Sequence, residues 1–267
     1  MNTVAIVGTG LLGSSFGLGL KRARLAGRII GVSSPAVVAK ALAVGAIDES
    51  MPLEEAVGLA DLVLLAQPVR RILKTLALLD PIVKEGALVT DVGSTKAEIC
   101  QAAATHLRRA RFVGGHPMAG REVRGPEGAS ADLFAGRPWV LTGNEPELVA
   151  LVVALHGKPV FLDAAEHDRL VAYSSHLPQL VSTTLAALLE NQAIAQVAGP
   201  GVLDMTRLAL SSHDLWQDIL STNAANIDAA LSAMIASLEQ TREALQQGRE
   251  EALFLRANRV ASALRTQ

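Results

Sequence analysis

Thr3-Val4-Ala5-Ile6-Val7-Gly8-Thr9-Gly10-Leu11-Leu12-Gly13 is the stretch that decides the architecture. A run of apolar and β-branched residues reads as a buried strand. Glycines at the spacing G-x-G-x-x-G follow without a gap, and an apolar helical stretch runs on to about Leu25. In that order the pattern predicts a strand, turn and helix that hold a dinucleotide. Gly8 is expected to make the tight turn, Gly10 to let a pyrophosphate approach the backbone, and Gly13 to let helix and strand pack closely. The amides of Leu11 and Leu12, at the helix N-terminus, then supply donors and the positive end of a dipole to the phosphates.

Working outward, the next strand is Arg28-Ile29-Ile30-Gly31-Val32, which ends at Ser33-Ser34-Pro35. An NAD-binding unit places Asp or Glu about twenty residues beyond its last glycine, on the ribose hydroxyls. Here that position is Ser33. Without a carboxylate nothing repels a 2′-phosphate, and the Ser33 and Ser34 hydroxyls can donate to one, so the reading favours NADP over NAD. The plain alternative is a serine turn with no part in selectivity.

Further strands are expected at Asp61–Leu65, Ala87–Asp91 and Arg111–Gly114, alternating with helical stretches at Val69–Leu79 and Lys96–Leu107. This predicts an α/β, Rossmann-type doubly wound parallel sheet, whose ligands sit beyond the carboxyl ends of the strands. Three segments should therefore face a cofactor: Ala66-Gln67-Pro68, Asp91-Val92-Gly93-Ser94-Thr95-Lys96, and Gly114-Gly115-His116-Pro117-Met118-Ala119-Gly120. Ser94 is read as the cap of a helix beginning near Thr95, with its hydroxyl on the same rim as His116. A histidine between glycines and a proline, at a strand end, can move a proton near neutral pH; a loop-capping histidine would look the same.

Composition narrows the classes. The 267 residues carry a net charge of −2 and no long basic run, which argues against nucleic acid as a partner. One cysteine, Cys100, excludes an intramolecular disulfide and fits a reducing cytoplasm. The uncharged windows Asn2–Leu20 and Leu170–Leu189 are interrupted by glycines in the first and by His176, Pro178, Gln179 and hydroxyls in the second, so both read as buried soluble elements rather than membrane spans. No Cys, His and Asp spacing suits zinc, and no metal is expected. Trp139–Thr142 and Lys158–Leu162 read as strands closing a first domain over residues 1–163. Residues 164–267 read as helical, with long helices from about Asp214 to Gln246 and Arg249 to Arg265.

From the first strand to about Ile219 the sequence resembles the prephenate/arogenate dehydrogenase family. The resemblance rests on the glycine fingerprint, Asp91–Lys96, Gly114–Gly120, Glu166-His167-Asp168, Ser175-His176-Leu177-Pro178, Asp204-Met205-Thr206-Arg207, and Trp216. It implies hydride transfer from a cyclohexadienol to NAD(P) with loss of carbon dioxide. His116 would accept the hydroxyl proton, and Ser94 would bond to that histidine and to the substrate oxygen. His176, Arg207 and Trp216 would line the substrate, with Arg207 binding a carboxylate through its planar fork. It further implies a homodimer intertwined through the helical domain.

Several positions depart from the family pattern: Gln179 stands where many prephenate-preferring relatives have histidine, Leu203 where some have lysine, and Arg121 where some have threonine. Gln179 is neutral, which tilts the reading slightly towards prephenate over the ammonium-bearing arogenate. His167 is expected to cap a helix start, and His106, His156 and His213 to have no role in the site. Two other readings stay open. A β-hydroxy-acid dehydrogenase would need a catalytic lysine at the start of the second domain, yet none occurs between Ala164 and Glu190. A non-catalytic dinucleotide sensor would need the glycines but not Ser94, His116, His176 and Arg207 together.

Overall fold

The structure is a computed structural model that describes residues 1–121, 123–190 and 193–266. Its first half alternates strands and helices: β1 Thr3–Val7, α1 Leu11–Ala23, β2 Arg28–Val32, α2 Pro35–Ala43, β3 Glu49–Ser50, α3 Leu53–Leu59, β4 Leu62–Leu65, α4 Val69–Leu79, β5 Leu88–Asp91, α5 Ala97–His106 and β6 Arg111–Val113. The strands form one parallel sheet in the order β3-β2-β1-β4-β5-β6. Every residue of β4 and β5 is buried, because helices cover both faces. One face packs on Phe16 and Leu20 of α1 and on Trp139, the other on Val57, Ile72, Leu76 and Ile99. Each such fully buried Leu, Ile, Val or Phe contributes about 1.5 to 3 kcal/mol of transfer free energy. Strand order reverses between β1 and β4, which opens the crevice where such sheets bind ligands.

The next strands do not extend this sheet. β7 Gly115–Pro117, β8 Pro138–Leu141, α6 Pro146–Ala154 and β9 Lys158–Phe161 build a separate three-stranded sheet, β7-β8-β9, in which His116 pairs with Val140. His116 therefore sits on a strand, not in a loop. That strand crosses the end of β5 so closely that a Cβ on Gly115 would lie 2.5 Å from the Asp91 carbonyl oxygen.

The remainder is helical: α7 Ala164–Val171, a π-helical turn Ala172–His176, α8 Leu177–Leu188, α9 Pro200–Thr206, a 3-10 turn Arg207–Leu210, α10 His213–Thr222, α11 Ala224–Gln246 and α12 Glu251–Arg265. The long helix expected over 214–246 is two helices. Asn223 leaves helical geometry (φ −130°, ψ 24°), and its side chain is drawn into the buried network described below. Pro178 does not break the helix: it stands at the second residue of α8, directly after the π-helical turn, and the chain stays helical through it. Among the described residues no helix is long and apolar enough to cross a membrane.

Candidate active site

The three glycines after β1 divide their labour. A Cβ on Gly8, whose φ is +102°, would lie 2.3 Å from the Ala66 carbonyl oxygen, and one on Gly13 would lie 2.1 Å from that of Gly8. Those two are required by the protein's own packing. Among the described residues nothing lies within 4 Å of a Cβ on Gly10, which is the N-cap of α1 and offers no side-chain cap to the helix. Open space over uncapped amides fits a dinucleotide diphosphate. Ser33 and Ser34 are exposed at the carboxyl end of β2, and Ser34 is the N-cap of α2 without making a capping bond. On the next strand Gln67 accepts a hydrogen bond from Thr75 (2.8 Å), and Pro68 precedes α4.

A polar cluster is buried at the end of β5, where the helical half meets the sheet. Asp91 and Lys96 are fully buried and paired, and Asp91 also accepts the backbone N–H groups of Gly93 (2.7 Å) and Gly115 (3.1 Å). The helix start expected near Thr95 lies at Ala97, and Ser94 does not cap it. Asp168, arriving from α7, accepts the Lys96 and Ala97 amides at 2.7 and 2.9 Å. A carboxylate is the stronger acceptor at the positive end of a helix, so it displaces the serine from that role.

The same Asp168 carboxylate accepts from His167 Nδ1 at 2.8 Å, and His167 Nε2 lies 2.8 Å from His116 Nδ1. His167 thus does not cap its helix. Asp163 does so, accepting the Glu166 N–H at 2.9 Å, while His167 is fully buried against the His116 ring. Ser94 is half-buried on the loop before α5, and among the described residues no hydrogen bond joins it to His116.

His176 is placed by the π-helical turn, a bulge that recurs at functional sites because it re-aims one side chain. Its Nδ1 lies 3.2 Å from Asn223 Nδ2, which also donates to the Asp168 carbonyl oxygen at 2.7 Å. Trp216 meets the His176 ring edge-on at 5.9 Å, and its buried indole N–H has no partner among the described residues. Gln179 is buried, and its amide donates to Thr183 Oγ1 (3.1 Å) and to the Leu208 carbonyl oxygen (2.9 Å). With Ser182, which accepts from the Ala209 N–H, it fastens the turn that carries the exposed Arg207.

Burial sets the electrostatics. Desolvation first, then the neighbouring His167, Lys96 and His176, hold the His116 imidazole well below its ordinary pKa. Desolvation also pushes His176 down to about 4, against the opposing pull of Asp168. Both rings are neutral at pH 7, the state a proton acceptor requires. Two further bonds fix the helical half over the sheet: Thr95 to Thr222 (2.8 Å), and the Arg70 N–H to Asp218 (3.1 Å).

Two family models account for most of the sequence. The nucleotide-binding domain of prephenate dehydrogenase matches residues 16–156, and its dimerisation domain matches residues 163–257. The chain belongs to the prephenate dehydrogenase family. It is 36% identical to the prephenate dehydrogenase of Lactococcus lactis across 84% of this chain, and spans 65% of that protein's length, just under two thirds. In three dimensions it is similar to the prephenate dehydrogenase of Aquifex aeolicus in complex with hydroxyphenyl propionate and NAD+ (TM-score 0.89, 31% identity, 100% of this chain and 98% of that one). It is also similar to Synechocystis arogenate dehydrogenase (TM-score 0.84, 28% identity, 99% of each chain).

Sequence reasoning gave no role in the site to Asp168 and Asn223, made His167 a helix cap, and placed Asp91–Lys96 facing a cofactor without foreseeing the buried ion pair between its ends. Asp91, Lys96, His167 and Asp168 lie inside motifs that mark this family, yet nothing local distinguishes a buried relay from a helix start. Asn223 carried no signal at all.

Proposed function

We propose that this chain oxidises and decarboxylates prephenate, or arogenate, yielding 4-hydroxyphenylpyruvate, or tyrosine, with carbon dioxide. The observation that carries the reading is a half-buried neutral His116 backed by the buried His167 and Asp168, beside His176, at the carboxyl end of a dinucleotide-binding sheet. Gly8, Gly10, Leu11, Leu12, Gly13, Ser33, Ser34, Gln67 and Pro68 hold the cofactor. When bound, the nicotinamide supplies the acceptor for the hydride leaving the ring carbon. His116 takes the proton of the hydroxyl on that carbon, Ser94 orients that oxygen, Arg207 binds a substrate carboxylate, and His176 and Trp216 wall the pocket. The cyclohexadiene ring then loses its carboxylate as carbon dioxide and becomes aromatic.

The finer choices rest on single residues. Ser33 leaves no carboxylate to repel a 2′-phosphate, which supports NADP, whereas the Aquifex relative is crystallised with NAD+. The chain accepts NADP at least as well as NAD on this reading. The absence of a carboxylate at Gln179 favours prephenate; the Synechocystis relative favours weighing arogenate as the second reading. Residues 1–163 form the cofactor domain and 164–267 the substrate and dimerisation domain. Exposed Leu238, Leu245, Phe254, Leu255 and Leu264 on α11 and α12 support a homodimer through these helices. The lone Cys100 supports a cytoplasmic setting.

Initial rates with prephenate and with arogenate, each with NAD and NADP, test all of this. Turnover is expected in at least one combination, fastest with prephenate. A folded dimer that binds dinucleotide but turns over neither substrate would replace the enzyme reading with the sensor.

A further inference from the structure

We infer that His167 and Asp168 are a positioning pair that holds His116 with its proton on Nδ1 and its lone pair on Nε2, while Asn223 holds His176 in the opposite tautomer, so that the two rings present one acceptor and one donor to the substrate. The inference deepens the proposed function and rests on His116 being its proton acceptor.

The proton inventory follows from which groups can only donate and which can only accept. The Asp168 carboxylate takes the Lys96 and Ala97 amides, so it is an acceptor seated on the N-terminus of α5. Its third partner, His167 Nδ1, must then carry a hydrogen. A neutral His167 has its lone pair on Nε2, and the atom facing that lone pair at 2.8 Å is His116 Nδ1. His116 therefore donates from Nδ1, which leaves Nε2 bare for the substrate hydroxyl.

The same pair serves the product of the step. When the hydroxyl proton arrives on His116 Nε2, the ring becomes an imidazolium whose Nδ1–H still points at His167. The charge is shared along that bond towards Asp168, so a carboxylate stabilises it without standing at the reacting carbon. This matters because desolvation and the nearby Lys96 otherwise oppose a positive charge on His116. The Lys96 ammonium is itself held by Asp91.

At His176 the logic runs the other way. The Asp168 carbonyl oxygen can only accept, which fixes the Asn223 amide, with Oδ1 taking an Asn226 Nδ2 hydrogen at 2.7 Å and Nδ2 turned towards two acceptors. One is the Asp168 carbonyl oxygen and the other is His176 Nδ1. His176 Nδ1 thus accepts, and its single hydrogen sits on Nε2, a neutral donor suited to a substrate oxygen. Asp168 ties the two halves together, since its carboxylate orders one ring and its backbone carbonyl orders the amide that orders the other.

Nitrogen NMR of the histidine-labelled protein at pH 7.5 reads the tautomers directly, with His116→Gln and His176→Gln assigning the rings. The expected spectrum has His116 protonated on Nδ1 and bare on Nε2, and His176 reversed. His116 with its hydrogen on Nε2 overturns the inference whatever the turnover, whereas the expected tautomers in an inactive protein sink only the proposed function.

His167→Ala leaves the Asp168 cap on α5 in place. It is expected to lower kcat by about 100-fold with KM within about threefold. Exogenous imidazole, filling the vacated space, should restore much of that loss. A kcat within about threefold of the parent overturns the pair, as does a loss that imidazole leaves untouched in a protein with unchanged dinucleotide affinity. Should His167→Ala fail to fold, His167→Gln carries the same kcat and tautomer readouts.

Discussion

Gly8, Gly10 and Gly13 fall inside one six-residue motif, whereas Asp91, Lys96, His116, His167, His176 and Asn223 come from separate segments on both halves of the chain. The first region binds through backbone: two glycines let the turn close and the third leaves amides bare. The second works through side chains, each of which is worth something only when another segment delivers its partner. The difference teaches that a site made of backbone geometry is a local property, while a site made of hydrogen-bonded side chains is a property of the finished packing.

The largest break between the two regions is at His116. His116→Gln is expected to lower kcat by about 1,000-fold while dinucleotide affinity, measured by fluorescence titration, stays within about twofold. Loss of dinucleotide affinity instead would show that the regions are not separate. Next comes the buried ion pair. Lys96→Met strands Asp91 in the interior, at a cost of about 3 to 5 kcal/mol in denaturant unfolding, and a Lys96→Met/Asp91→Leu double variant should regain a large part of it. If the single variant were as stable as the parent, the pair would not be the rigid floor under β7 that the geometry makes it.

How much could be read beforehand follows the same division. Five strands of the parallel sheet and the helices α1, α4 and α5 were legible, because strand, turn and helix recur with their own periods, whereas the two-residue edge strand β3 and the short α2 and α3 gave no such period. His116 and His176 were legible through short motifs. Serine before a helix usually caps it, which is what the sequence predicts for Ser94, yet a carboxylate 72 positions away takes those amides. His167 lies in a motif that starts a helix, which predicts a cap, although Asp163 holds that helix start. The break at Asn223 was invisible, since helix propensity in a window around it says nothing of a histidine and a carbonyl waiting across the interface.

A smaller effect sharpens the comparison within the glycines themselves. Gly8→Ala forces a Cβ to within 2.3 Å of a backbone oxygen at a positive φ, so it should cost at least about 2 kcal/mol of stability. Gly10→Ala meets nothing within 4 Å and should leave the unfolding midpoint unchanged, yet weaken dinucleotide binding by about tenfold or more, close to 1.4 kcal/mol. Equal losses of stability in both variants would mean that the open space at Gly10 is not reserved for a ligand.

The smallest effect separates the regions by pH. His176 is pushed down to about 4 and His116 well below its usual value, chiefly by burial, while in the unfolded chain both titrate near 6.5. As pH falls below about 6.5 the unfolded chain takes up protons that the folded chain refuses. Stability is therefore complete above that point and declines towards acid, by about 1.4 kcal/mol per pH unit for each histidine. Between about pH 6.5 and 5 the slope of unfolding free energy should fall by about one proton in His176→Gln and by about one more in His116→Gln/His176→Gln. Gly10→Ala should leave it untouched, because the nucleotide turn holds no titrating group. An unchanged slope in the double variant would mean that both rings are open to water in the folded protein. The shelter that keeps His116 neutral, and so ready to take a proton, would then have to come from the substrate rather than from the fold.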